Sequence, residues 1–175
     1  MTDWPNLYLG PGPTITPWHP ESIGAREGMN PTSAVWPSAN RAIFIPFRLW
    51  HPITARLLFV HNGAAVNGNL DVGLYDPDGN RLVSSGSTAQ AGINVIQTLN
   101  IADTQLGPGW FYMAMAMDNI VGAVLRRAPT ISIGKLLGLA MQDAAFPLPN
   151  PAAIIALNTA AAYYPFIGLC TRAVM

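Results

Sequence analysis

Between Gly68 and Met117, apolar and polar residues alternate in short runs separated by turn formers, and that rhythm restricts the chain to antiparallel β-structure. Leu70, Val72 and Leu74 alternate with Asp71, Gly73 and Tyr75, the period of two expected of a strand with one face in a core. Asp76-Pro77-Asp78-Gly79-Asn80 then reverses the chain, and Arg81 to Ser85 runs back as a second strand. Ile93, Val95, Leu99 and Ile101 form one face of a third run. Leu106-Gly107-Pro108-Gly109 turns into Trp110 to Met117. Upstream, Ile43, Ile45, Phe47 and Leu49 alternate with Ala42, Phe44, Pro46 and Arg48, and Ala55 to Val60 follows the His51-Pro52 break. Pro46 cannot donate to a ladder, which puts it at a sheet edge or a bulge. Together these runs predict an all-β fold, an antiparallel β-sandwich (jelly-roll-like).

The flanks read differently. Residues 1–39 carry Pro5, Pro11, Pro13, Pro17, Pro20, Pro31 and Pro37. Proline fixes φ and removes a donor, so this stretch reads as an extended Pro-rich N-terminal arm, with the sandwich domain at 40–175. A disordered tail is short of aromatics, whereas this one holds Trp4, Leu7, Tyr8, Trp18 and Trp36. These five are the candidate partner-binding anchors, on the chain's own domain or on a neighbour. Ala123 to Arg127 reads as a further strand. Ile133, Leu136, Leu137, Ala140 and Met141 fall at helical spacing, predicting one short helix within Ile133–Asp143. Tyr164 to Arg172 reads as a closing strand.

Half of the residues are hydrophobic and only 10% are charged, with zero formal net charge. A typical soluble domain is about 25% charged. A surface this poor in charge points to extensive contact with other copies or other proteins. Arg126-Arg127 is the only basic pair, and it reads as a solvated strand end or a salt bridge. Nucleic-acid binding needs clustered phosphate contacts and is not expected. No apolar run reaches about 18 residues, so no membrane helix is expected. The opening Met-Thr-Asp-Trp-Pro has no signal-peptide character. The one cysteine, Cys170, sits in an apolar run and reads as a buried thiol.

Motifs for chemistry are sparse, and no catalytic group or cofactor is expected. Asp76, Asp78 and Asn80 resemble the start of a calcium loop but lack a downstream Glu; the same residues make an ordinary polar hairpin turn. His19, His51 and His61 have no metal-ligand spacing. No Gly-x-Ser-x-Gly elbow occurs, and Glu21 and Glu27 are the only glutamates. Trp110 and Tyr112 share one strand face and read as core or as part of a sugar-stacking platform; Trp110, Tyr163 and Tyr164 are the candidate glycan residues. Met113, Met115 and Met117 take the opposite face. Apolar residues on both faces mean a central strand, or one face buried by a partner.

The runs Ala42-Ile-Phe-Ile-Pro-Phe-Arg-Leu, Ile53-Thr-Ala-Arg-Leu, Gly68-Asn-Leu-Asp-Val-Gly-Leu-Tyr-Asp-Pro-Asp-Gly-Asn-Arg-Leu and Leu106-Gly-Pro-Gly-Trp-Phe-Tyr-Met-Ala carry a resemblance. Over residues 41–118 the chain resembles β-sandwich (jelly-roll-like) virion structural proteins of tailed bacteriophages. Similar hairpins occur in carbohydrate-binding sandwiches. The resemblance implies a non-enzymatic component, made in the host cytoplasm and built into the virion. Its partners would be itself, as a homo-oligomer such as a trimer, and major capsid or tail proteins. Within that class the compact chain suits a capsid decoration (cement) protein. A tail, fibre or baseplate component contacting the host, or a carbohydrate-binding module, is the alternative. The resemblance supplies no functional residues.

Overall fold

The computed structural model describes residues 14–15, 31–156 and 163–171. The strands are β1 (Thr14–Ile15), β2 (Thr32–Val35), β3 (Ala42–Leu49), β4 (Ile53–His61), β5 (Asn69–Tyr75), β6 (Arg81–Ser84), β7 (Thr88–Ala89), β8 (Ile96–Leu106), β9 (Gly109–Met117) and β10 (Ala123–Arg127). The helix α1 (Ile131–Leu136) comes next, the one helix among the described residues, then β11 (Ala140–Gln142), β12 (Ile155–Ala156), β13 (Tyr164–Pro165) and β14 (Ile167–Cys170). All pairings are antiparallel and form an all-β sandwich. A seven-stranded sheet runs β12-β11-β3-β9-β5-β6, with β7 also on β5. A four-stranded sheet runs β1-β14-β4-β8, and β13-β10-β2 form a small third sheet.

The alternation read in the sequence sets the inner faces. Ile43, Ile45, Phe47 and Leu49 of β3, Leu70, Val72 and Leu74 of β5, and Met113, Met115 and Met117 of β9 share one core with Leu58 and Val60 of β4. β9 lies between β3 and β5, with Met115 opposite Ile43 on one side and Val72 on the other. The three methionines are fully buried, and their unbranched side chains fill the centre of the sandwich.

The outer face of the seven-stranded sheet is also apolar, and it is covered over half its length by the chain itself. Ala42, Phe44, Tyr75, Ala114 and Ala116 form a second core with Ala145 and Leu148, and Phe146, Ala152 and Ile154 pack against it. Polar bonds pin this cover. Asp71 accepts from the Leu148 N–H at 3.0 Å, and the Tyr75 hydroxyl donates to the Pro149 carbonyl at 2.6 Å. The Arg81 guanidinium donates to the Leu148 carbonyl, and the Arg81 N–H donates to Asn150 Oδ1 at 2.9 Å. Apolar residues on both faces of β9 thus reflect a central strand whose second face is buried largely by residues 145–154.

Several sequence expectations need correction. Trp36 is only 1% exposed and sits in the main core. Its indole donates to the Arg41 carbonyl at 2.9 Å, and its ring meets Tyr163 edge-on at 5.1 Å. Trp36 therefore anchors its own domain, and β2 carries the folded body upstream of residue 40. The other proposed anchors, Trp4, Leu7, Tyr8 and Trp18, lie outside the described residues, as does most of the arm. The third run starts at Ile96, leaving Ile93 and Val95 exposed in the preceding loop. The helix spans Ile131–Leu136 only. Thr130 caps its start, Gly138 at φ +72° turns the chain after its end, and Ala140–Gln142 joins β3 as a strand. Cys170 is half-buried in β14. Pro46 sits just beyond Phe44, where the neighbouring β11 stops, so β3 is locally an edge there.

Candidate functional site

The strands define two ends of the sandwich, and each has a distinct surface. At one end lie the C-terminus of β3 and the start of β9, where Arg48 stands opposite Trp110 and Pro46 opposite Tyr112. These four residues continue the outer face beyond the segment that covers it. The uncovered half forms a groove of about 240 Å³. Its walls are Pro46, Trp110 and Tyr112 from the sheet, Leu136, Leu137 and Gly138 from the end of α1, and Tyr164 from β13. Leu136 is 85% exposed at its rim.

Beside the groove the Arg48 guanidinium lies 3.8 Å from the ring centre of Trp50 and 6.0 Å from that of Trp110. Both indoles are nearly half exposed. The stacking holds the cation in place. Among the described residues Arg48 forms no ion pair with a carboxylate.

The opposite end is apolar. Val35, Ile93, Val95, Ile96, Ile120 and Val121 are all exposed. The backbone ties them together: Val35 pairs with Ala123, and the Trp36 N–H donates to the Gly122 carbonyl. Gly63 N–H reaches the Ala123 carbonyl at 2.8 Å, and Asn62 N–H reaches the Val95 carbonyl at 2.9 Å. A buried amide network sets this geometry. Asn62 donates to the Ala91 carbonyl and to Gln97, and accepts from Gln90. Asp118, at the same end, is engaged by the Asn69 N–H, the Asn69 amide and Asn119.

The sequence candidates separate as follows. Trp110 is 43% exposed and lines the groove, rather than sitting in the core. Tyr163 and Tyr164 are buried, at 4% and 2% exposure, and burial pushes both phenol pKa values up. Tyr163 donates its hydroxyl to the Ala34 carbonyl at 2.6 Å and faces the Arg126 guanidinium, so it does not form a platform with Trp110. Tyr164 still reaches the groove wall. In the Asp76–Asn80 turn, Asp76 Oδ1 accepts from the Asp78 and Asn80 N–H groups, and Oδ2 accepts from the Asn80 amide. These bonds, led by the Asn80 side chain, hold the Asp76 carboxyl below its usual range. The Asp76 oxygens are committed to closing the turn, and Gly79 at φ +87° supplies its left-handed residue. Among the described residues no three His, Cys, Asp or Glu side chains gather to hold a metal. Sequence reasoning missed Arg48 and Trp50. The signal was there, since Phe44, Pro46, Arg48 and Trp50 continue one face, but the turn at His51-Pro52 masked it.

No protein-family model, no curated protein and no solved structure matches the chain.

Proposed function

We propose that the protein is a non-enzymatic assembly component of a tailed-phage particle, a decoration-type protein that docks on other copies of itself and on the shell. The observation that carries this reading is the apolar end built from Val35, Ile93, Val95, Ile96, Ile120 and Val121. Six exposed aliphatic side chains at one end of a small domain form the kind of surface that partners cover. Its neighbouring carboxylate, Asp118, is already bonded within the chain. Association there draws on buried apolar area rather than ion pairs. A stable contact of this type buries about 1,200–2,000 Å² in total.

The test is the mass of the full chain in solution at low salt and at about 1 M salt, since such salt screens surface charges within about 3 Å. The expected result is an oligomer, a trimer on this reading, that persists at both. The double variant Ile120→Asp, Val121→Asp dissociates while keeping its far-UV circular dichroism spectrum, and it fails to bind purified particles. A wild-type chain that is monomeric and does not bind particles would overturn the assembly reading.

A further inference from the structure

The corner formed by Arg48, Trp50 and Trp110 has no role in assembly through the apolar end, which lies at the other end of the strands. Three features coincide there. A guanidinium lies 3.8 Å from the ring centre of one indole and 6.0 Å from that of a second. Both indoles are partly exposed, at 49% and 43%. A groove of about 240 Å³ is lined by Trp110, Tyr112 and Leu136 among others.

We propose that this corner binds an acidic sugar, a pyranose ring that carries a carboxylate. The apolar C–H face of a sugar ring stacks on an indole, and the partly exposed Trp110 lines the groove. The carboxylate then meets Arg48, whose planar fork matches a carboxylate with two parallel N–H···O bonds. Stacking on Trp50 limits the rotamers of Arg48, so less freedom is lost on binding. Among the described residues no carboxylate pairs with Arg48, so a ligand carboxylate would meet no competing partner from them. A neutral sugar would leave the guanidinium unused. A simple acidic peptide would use it but would leave the Trp110 face bare. The groove is below the roughly 300–1,000 Å³ of sites that engulf a small molecule, which suits an exposed site that reads one or two sugar units of a longer chain.

The test uses the full chain with two carboxylated sugars and their neutral counterparts: a galacturonic acid oligomer against a neutral glucan oligomer, and sialyllactose against lactose. Tryptophan fluorescence and calorimetry read the binding. The expected result is that at least one carboxylated sugar binds at least about tenfold tighter than its neutral partner, a margin that corresponds to one charge-assisted contact. Arg48→Gln removes that margin, and Trp110→Ala weakens the carboxylated sugar as well, both with unchanged melting temperature. Which acid binds tells a uronic from a sialic source. The proposal is overturned if neither acid is preferred, or if Arg48→Gln leaves the preference intact. It is also overturned if poly-glutamate binds equally well and Trp110→Ala has no effect, which would mean bare charge attraction. The oligomer mass is followed in parallel: a variant that loses sugar and keeps its mass separates failure here from failure of the assembly reading.

Discussion

The Asp71 carboxylate accepts a hydrogen bond from the Leu148 N–H at 3.0 Å across the outer face of the seven-stranded sheet, with Asp71 fully buried. It thereby ties strand β5 to the segment that covers the outer face. Burial pushes the Asp71 carboxyl pKa up. The Leu148 N–H, Ser84, Ser85 and Arg81 oppose that shift without cancelling it.

The sign of the pH dependence follows. A folded-state pKa above the unfolded value of about 3.9 means that the folded chain binds more protons in the window between them. Stability from this group therefore rises as the pH falls through the raised folded pKa, and levels off below the unfolded value. Asp76, whose pKa is lowered, works in the opposite direction, so the comparison must isolate Asp71. Urea unfolding of wild type and Asp71→Asn between pH 7 and pH 4 does so. Wild type gains on the variant as the pH drops. A constant difference would show that Asp71 does not titrate in this window.

Gly73 makes room for the same cover. A Cβ there would lie 3.0 Å from Leu148 Cδ1, 3.0 Å from the Val83 carbonyl and 3.1 Å from Ser84 Cβ. Gly73→Ala should cost about 1–3 kcal/mol, the usual range for overpacking. Gly107→Ala meets no atom within 4 Å and should be neutral or stabilising by up to about 1 kcal/mol through the unfolded chain. Equal melting temperatures for the two variants would refute the packing argument.

Much of the fold was legible because strands with one buried face write it into every second residue. Ile43, Ile45, Phe47 and Leu49 were placed on one face, and the three methionines of β9 opposite Trp110 and Tyr112, as the structure has them. What the sequence hid was long-range. Leu139 and Met141 serve the core, and Ala140–Gln142 is claimed by the free edge of β3, which cuts short a run with helical spacing. Tyr163 and Tyr164 looked like surface aromatics because Trp36, which buries Tyr163, is remote in sequence. The groove draws Pro46, Trp110, Leu136 and Tyr164 from four separate segments, and no local pattern joins them.

The amide network at the apolar end is a test of how that surface is held. Asn62 is fully buried, and its side chain bonds Ala91, Gln97 and Gln90. Asn62→Leu takes one partner from the buried Gln90 amide, which keeps only its bond to the Ala123 carbonyl, and an unsatisfied buried group costs about 1–3 kcal/mol. The variant should unfold at lower urea and lose amide-exchange protection first around residues 90–97. Protection lost evenly across all strands would mean that the network is not a local clamp.

Trp36 decides between two roles for the end of the Pro-rich stretch. As a side chain 1% exposed against Tyr163, with its indole N–H on the Arg41 carbonyl, its loss creates a large cavity and an unpaired carbonyl. Trp36→Ala should cost about 3–5 kcal/mol of folding stability, the usual range for a buried Trp or Phe. A side chain that served only to grip a neighbouring subunit would instead leave the unfolding midpoint of the dissociated chain unchanged and shift only the mass in solution. Unfolding measured at a concentration where the chain is monomeric separates these outcomes. The geometry requires the first: β2 pairs with β10, and Trp36 lies in the main hydrophobic core of the domain.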